Sequence, residues 1–242
     1  MEHEAYLDMA AVEARHWWFR GRRRILQATI RPLRLKPDAK ILELGSGTGG
    51  NFSFLSQFGR VTAVEMNETA RKISASREGG AKILEGSLPD NLNLGEQKFD
   101  LICLFDVLEH VEEDEATLAV VRRHLAPGGA AVITVPAYQA LFGPHDVALH
   151  HKRRYERVEL AAKLREAGLA VQKLSFINMS LALPAFLLRW LDKKLNRAQA
   201  SGTKTPPWLL NEVFAGIFGA EAFALPIINL PFGLSLLAVV RG

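Results

Sequence analysis

The chain has 242 residues, enough for one large domain or for a domain carrying an elaborated lid. Apolar residues make up 48% and charged residues 23%, a balance that excludes a largely disordered or fibrous chain. The net charge of +4 is modest, but its arginines are unevenly placed. Arg15, Arg20, Arg22, Arg23, Arg24, Arg31 and Arg34 crowd the first 35 residues, and Lys152, Arg153 and Arg154 form a second cluster. Such patches attract nucleic acid, anionic lipid or phosphorylated metabolites, or are simply solvated faces. The single cysteine, Cys103, lies in the apolar run LICLF, which makes it a core residue rather than a disulfide partner or a metal ligand. The opening MEHEAYLDMA is acidic and lacks an apolar stretch, so no secretory leader is expected. No uncharged apolar run reaches the ~18–20 residues needed to span a bilayer. The cytoplasm is the expected location.

In chain order, residues 1–35 read as helix, with WWF at 17–19, a basic stretch and a stop at Pro32. Lys40–Leu44 is a short strand running into glycines. A short helix over Asn51–Phe58 ends at Gly59, and Arg60–Glu65 is the second strand. Asn67 is placed to cap a helix to about Arg77, with Ala70 at the third helical position. Ala81–Glu85 is a third strand. Phe99–Phe105 is nearly all apolar, as a parallel strand buried on both faces requires. A helix over Asp114–Leu125 is closed by PGG at 127–129 and followed by a strand at Ala130–Val135. This alternation predicts a doubly wound, Rossmann-like α/β fold with right-handed crossovers. A helix at Val158–Ala167, a strand at Ala170–Asn178 and a last strand at Leu234–Arg241 complete it.

Between the last two strands lie two aromatic-rich helical patterns. Leu183, Phe186, Leu187, Trp190 and Leu191 share one face of the first, and Leu210, Val213, Phe214, Ile217 and Phe218 one face of the second. A polar linker with Gly202, Pro206 and Pro207 separates them. The expected organisation is a helical cap at 1–35, an α/β core at 36–180, a helical insertion at 181–230 and a final core strand at 231–242.

In such a fold the ligand lies beyond the carboxyl ends of the strands. Gly45, Gly47 and Gly50 match G-x-G-x-x-G, and Glu65 ends the second strand, which would suit a dinucleotide and an NAD(P)-linked oxidoreductase. Glu43 opposes that reading. A carboxylate about 6 Å from a pyrophosphate is repelled by roughly 3 kcal/mol at an effective dielectric of about 20. A ligand with an adenosine ribose for Glu65 and a cationic, amino-acid-like tail near Glu43 reconciles the two acids, and S-adenosylmethionine is such a molecule.

The segment ELGSGTG at 43–49 resembles motif I of the class I S-adenosylmethionine-dependent methyltransferases. FDVLEH at 105–110 resembles the segment after the fourth strand in the family's small-molecule branch, and PGG before AAVITVPA resembles its turn into the fifth strand. HWWFRGRRRIL at 16–26 and HDVALHHKRRYERVEL at 145–160 are similar to segments of a bacterial subgroup. The resemblance implies a seven-stranded sheet with an antiparallel last strand, and an enzyme, with a non-catalytic cofactor-binding partner subunit as the alternative. It implies cofactor contacts at Glu43, Gly45, Ser46, Gly47, Gly49, Asn51, Glu65, Met66, Ser87, Leu88, Phe105, Asp106, Val107 and His110. Ser87 departs from the family pattern, standing where an aspartate often receives the adenine amino group.

The acceptor is less constrained. The resemblance implies that the N-terminal helix caps the cofactor and lines the acceptor pocket. Trp17 or Phe19 is expected to line it, since three consecutive aromatics cannot all face one core. Arg20 and Arg24, one turn apart, can bind the cofactor carboxylate or an anionic acceptor, or face solvent. A hydroxyl acceptor needs a base near its proton, and the candidates are His110, His145 and His150, with Asp146, His151 and Tyr155 on the same side of the sheet. No metal is expected. The acceptor is read as a small molecule or a glycan- or lipid-linked compound, most readily at oxygen. Nucleic-acid methylation lacks its [DN]-P-P-[YFW] signature after the fourth strand. The insertion is read as a lid, a dimer contact or a peripheral membrane-docking surface.

Overall fold

Strands β1 (Lys40–Leu44), β2 (Arg60–Glu65), β3 (Lys82–Glu85), β4 (Phe99–Phe105), β5 (Leu125–Pro136), β6 (Ala170–Ile177) and β7 (Ser235–Arg241) form one sheet. The computed structural model describes residues 3–182 and 205–242. The strand order is β3-β2-β1-β4-β5-β7-β6, and only β7 runs antiparallel to its neighbours. The chain winds outward from β1 to β3 and then crosses back to β4, so the order reverses between β1 and β4. A crevice at the carboxyl ends of these two strands is where ligands bind in such sheets. Their side chains are correspondingly apolar. Ile41, Leu42, Leu44 and Leu101 to Phe105 are all buried, and Cys103 is a core residue beside Glu43.

The N-terminal region is two helices, α1 (His3–Val12) and α2 (Trp17–Ile30), where a single helix was expected. His16 breaks it: its backbone is extended, and its side chain accepts the amide of Trp18 at 3.3 Å. The remaining helices are α3 (Phe52–Leu55), α4 (Glu68–Ser74), α5 (Asp114–His124), α6 (Pro144–Ala148), α7 (Arg157–Glu166) and α8 (Trp208–Ala224). Asn67 caps α4 through the amide of Ala70 at 3.0 Å, as its position predicts. The strand expected at Ala130–Val135 is longer and begins at Leu125, straight after α5.

Helix α8 packs against α2 on a different face from the one its apolar pattern suggested. Asn211, Ala215, Phe218 and Gly219 are buried, whereas Leu210, Val213 and Ile217 are exposed. The helix is apolar nearly all round, so apolar spacing alone could not choose its face. Polar pairing chooses it. Asn211 accepts the first amide of α2, from Trp17, at 2.8 Å and donates to the Arg15 carbonyl at 2.9 Å. Phe218 then fills the space over Gly21 and meets the Trp17 ring edge-on. The first predicted insertion helix, with Leu183, Phe186, Leu187, Trp190 and Leu191, lies outside the described residues. Among the described residues no helix is long and apolar enough to cross a membrane.

A Cβ on Gly21 would stand 2.5 Å from the Phe218 ring. Gly21→Val is therefore expected to wedge α2 from α8 and to lower unfolding stability by about 1–3 kcal/mol. Urea denaturation measures it, and adding Phe218→Ala should restore part of the loss. An unchanged midpoint in Gly21→Val would contradict this packing.

Candidate active site

The turn after β1 is built from glycines in left-handed conformations: φ is +66° at Gly45, +55° at Gly47 and +79° at Gly49. At Gly45 there is also no room for a side chain, because a Cβ would meet Val107 at 2.7 Å. The amides of Gly45 and Ser46 donate to the Val64 carbonyl at 2.8 and 3.2 Å. The amide of Gly47 donates to Glu65 Oε2 at 2.8 Å, and that of Asn67 to Glu65 Oε1 at 2.9 Å. Three successive amides of the turn are thus already engaged by the end of β2. The turn does not present them as a phosphate cradle, which removes the main support for a dinucleotide. Each Glu65 oxygen has a further lone pair with which to accept a hydroxyl.

Glu43 lies beneath the turn, fully buried, and Asn51 Nδ2 donates to its Oε1 at 2.7 Å. Burial pushes its carboxyl up to about 7, against the hydrogen bond from Asn51 and the nearby charge of Arg22; Glu13 and Glu65 add to the rise. Its Oε2 has no hydrogen-bond partner, nor have the buried Oγ of Ser46 and Nε of Arg22. Orphaned buried polar atoms are uncommon and call for a ligand or another explanation. An acceptor for a cation, a hydroxyl and a guanidinium N–H together fit the amino-acid end of S-adenosylmethionine.

Helix α1 covers the turn. Met9 stands over Gly47, and Glu13 fills the space beside Gly50. Glu13 accepts the Thr48 hydroxyl at 2.9 Å and ion-pairs with Arg77. Tyr6 is buried, and its hydroxyl is pushed up to about 12 by burial and then by the charge of Glu65. Sequence reasoning missed these three residues, although their i, i+3, i+7 spacing is that of one helix face.

Helix α2 turns an unexpected arginine inward. Arg20 ion-pairs with Glu212, and Arg24 packs on Gly219 and reaches the Ala215 carbonyl, so both expected ligands serve the contact with α8. Arg22 is buried, ion-pairs with Asp106 and lies over the Trp18 ring at 4.4 Å. Trp17 packs edge-on against Phe214 and Phe218 of α8 rather than lining a pocket. Phe19 is half-buried, edge-on to Trp18.

At the end of β4 Phe105 is buried near Phe54; just beyond it Asp106 takes a φ of +57° and Val107 packs against Gly45. A 3-10 turn, Leu108–His110, follows. The amide of Lys152 donates to the Glu109 carbonyl at 2.7 Å, docking the segment after β5 onto this turn. His110 and His151 consequently meet edge to face with ring centroids 4.7 Å apart. Burial, then the neighbouring His151, pushes His110 down to about 4, against its hydrogen bond to the His150 backbone. His151 Nδ1 is 2.9 Å from Asp146 Oδ1, and Asp146 also accepts Arg154 Nε at 2.8 Å and the Gly143 amide at 3.0 Å. Burial would raise Asp146, but the hydrogen bonds from His151 and Arg154 outweigh it and hold the carboxyl well below the usual range.

The histidine that joins His110 is therefore His151. His145 lies in α6, and His150 is exposed at a φ of +59°. Neither belongs to the group formed by Glu109, His110 and His151, whose ligand atoms lie within 4.8 Å of one another. Tyr155, expected near the substrate, is wholly buried, and its hydroxyl donates to Asp114 at 2.9 Å. It is a core residue. Ser87 and Leu88 follow β3, where Ser87 pairs through its backbone with Asn91, and Met66 is exposed beside Glu65.

A family profile described as a methyltransferase domain matches residues 15–174. A ubiquinone biosynthesis O-methyltransferase from Xanthomonas euvesicatoria is 28% identical over 200 residues, covering 72% of this chain and 83% of that protein. A dTDP-4-amino-2,3,4,6-tetradeoxy-D-glucose N,N-dimethyltransferase from Saccharopolyspora spinosa is 33% identical over 105 residues, 41% of each chain. A chain in the complex between the Haloferax volcanii Trm112 methyltransferase activator and a methyltransferase aligns with a TM-score of 0.61 at 18% identity. That alignment covers 98% of this chain and 92% of the other, and it supports the fold.

A positive ligand beside Glu43, such as S-adenosylmethionine, favours the ionised carboxylate and lowers its pKa from about 7. Below pH 7 binding must then expel a proton, so affinity falls as the pH drops and levels off above 7. Calorimetry at pH 6 in buffers of different ionisation enthalpy should show proton release, and Glu43→Gln should abolish it. A wild-type affinity that does not change between pH 6 and 8 would contradict this coupling.

Proposed function

The chain belongs to the methyltransferase-domain family and is an S-adenosylmethionine-dependent methyltransferase, and we propose that it methylates an oxygen of a small-molecule or glycan- or lipid-linked acceptor. The observation that carries this reading is the line Asp146–His151–His110 beside the carboxyl ends of β4 and β5. A carboxylate-oriented imidazole is the arrangement that takes a proton from a hydroxyl. The similarity to an O-methyltransferase supports the same reading.

When bound, S-adenosylmethionine supplies an electrophilic methyl group for in-line attack by an acceptor oxygen, the thioether leaving with the C–S electron pair. The residues of this chain bind, orient and handle the proton. Arg22 suits the cofactor carboxylate, Glu43 its cationic end and Glu65 the ribose hydroxyls. Leu88, Phe105 and Val107 give apolar surroundings suited to the adenine ring of the cofactor. The imidazole of His151 accepts the hydroxyl proton as the new C–O bond forms, Asp146 stabilises the resulting charge, and His110 packs against the ring edge to face. Orientation supplies much of the rate in such displacements. The exposed Trp208, Leu209, Leu210, Val213 and Ile217 of α8 give an apolar acceptor or its lipid carrier a surface to approach. An amine acceptor is the second reading, favoured by the N,N-dimethyltransferase similarity.

The test is release of S-adenosylhomocysteine across a panel of phenols, catechols, sugar hydroxyls and amines, with prenylated phenols presented in vesicles. Turnover is expected with hydroxyl acceptors. His151→Ala is expected to lower kcat by about 100-fold or more while leaving S-adenosylhomocysteine affinity unchanged. Turnover confined to amines would overturn the oxygen reading.

A further inference from the structure

Glu109 is the least explained residue near the site. It is wholly buried, and neither carboxylate oxygen has a hydrogen-bond partner. Leaving such a group unpaired is costly, because a buried carboxylate must be neutralised by a proton, a cation or hydrogen bonds. Two imidazoles stand by it, His110 and His151, with one ligand atom from each of the three within 4.8 Å of the others, while the neighbouring Asp106 carboxylate is engaged by Arg22. We propose that Glu109, His110 and His151 form a binding site for one divalent transition-metal ion of the zinc or cobalt type.

The second layer of contacts supports this. Asp146 accepts the Nδ1 proton of His151, which leaves the lone pair on Nε2, and Arg154 and the Gly143 amide fix Asp146 in turn. His110 likewise spends one ring nitrogen on the His150 backbone and keeps the other as a donor of electrons. A metal-bound histidine typically has its second nitrogen anchored in this way. The positive groups close by are neutralised: Arg22 is paired with Asp106, and Arg154 with Asp146. Two imidazoles and a carboxylate suit zinc, cobalt or iron rather than calcium or magnesium, and leave open coordination positions. In a tetrahedral site with bonds of about 2.1 Å neighbouring donors lie about 3.4 Å apart, so the group, within 4.8 Å, draws together when an ion binds.

The ion's place in catalysis rests on the methyl-transfer reading. An acceptor hydroxyl bound at an open position would be acidified, its proton leaving to solvent, and the oxygen would then bond to the methyl carbon as the C–S bond breaks and its electron pair passes to sulfur. With the ion bound, the histidines would act as ligands, and the metal, by stabilising the negative charge on the acceptor oxygen, would take the place of an imidazole base.

Cobalt(II) titrated into the metal-free full chain tests the site directly through its visible absorption. One equivalent should give saturable d–d bands, weakened at least tenfold in affinity by Glu109→Gln and by His151→Ala, while calorimetry shows S-adenosylhomocysteine binding unchanged. Thermal melts identify a variant that has failed to fold, and Glu109→Gln, nearly isosteric, then carries the test. Absent bands, or bands unaffected by both substitutions, overturn the site. Absent bands with intact S-adenosylhomocysteine binding overturn the metal and leave the methyl-transfer reading standing. Bands without any cofactor binding support the metal and count against that reading.

Discussion

Glu65 ties the end of β2 to the turn after β1 by accepting the amide of Gly47, and its other oxygen accepts the amide of Asn67 at the start of α4. The glycine turn can take its left-handed course only because its amides find acceptors on the neighbouring strand. That course places the turn against Val107 after β4 and beneath Met9 of α1. One carboxylate thus positions the floor of the crevice, and the same group, with lone pairs to spare, is suited to a ribose. The arrangement also answers what an acid does beside a glycine-rich turn. The turn's amides are engaged by the protein, so it offers a close backbone approach and leaves charge recognition to side chains.

Charge in the crevice is arranged by burial. Glu43, Glu65, Glu13 and Glu109 are all buried, and so is Arg22. Glu13 is satisfied by Thr48 and Arg77, and Glu65 by backbone amides, whereas Glu43 is only half satisfied and Glu109 not at all. The two acids left incomplete mark two different places. Glu43 lies under the glycine turn, where a cationic cofactor end fits, and Glu109 lies on the turn after β4 with two imidazoles beside it. Arg22 connects them electrostatically through its pair with Asp106.

Much of this was legible in the sequence. The strands were, because continuous apolar runs ending in glycine or an acid have few other homes, and β4 was found to the residue. The glycine turn and its two acids were legible for the same reason. Choices among neighbours on a helix or loop were not. Arg22 rather than Arg20 or Arg24 faces inward because Glu212 and Ala215 of α8 capture the other two, and sequence spacing says nothing of a helix 190 residues away. His151 rather than His145 or His150 meets His110 because the Lys152 amide docks on Glu109, a contact between backbones. Tyr155 looked like a pocket residue by position and is a core residue because Asp114 waits in the interior for its hydroxyl. The face of α8 was misread because its polar residues, not its apolar ones, choose its partner.

Every role assigned to these residues depends on a crevice that takes an adenosyl ligand with a cationic amino-acid end. Calorimetric titration of the purified chain with S-adenosylmethionine, in parallel with reduced NAD, tests that most directly. One-site binding of S-adenosylmethionine and no heat with reduced NAD are expected. Silence with S-adenosylmethionine, or saturable binding of the dinucleotide, would contradict it.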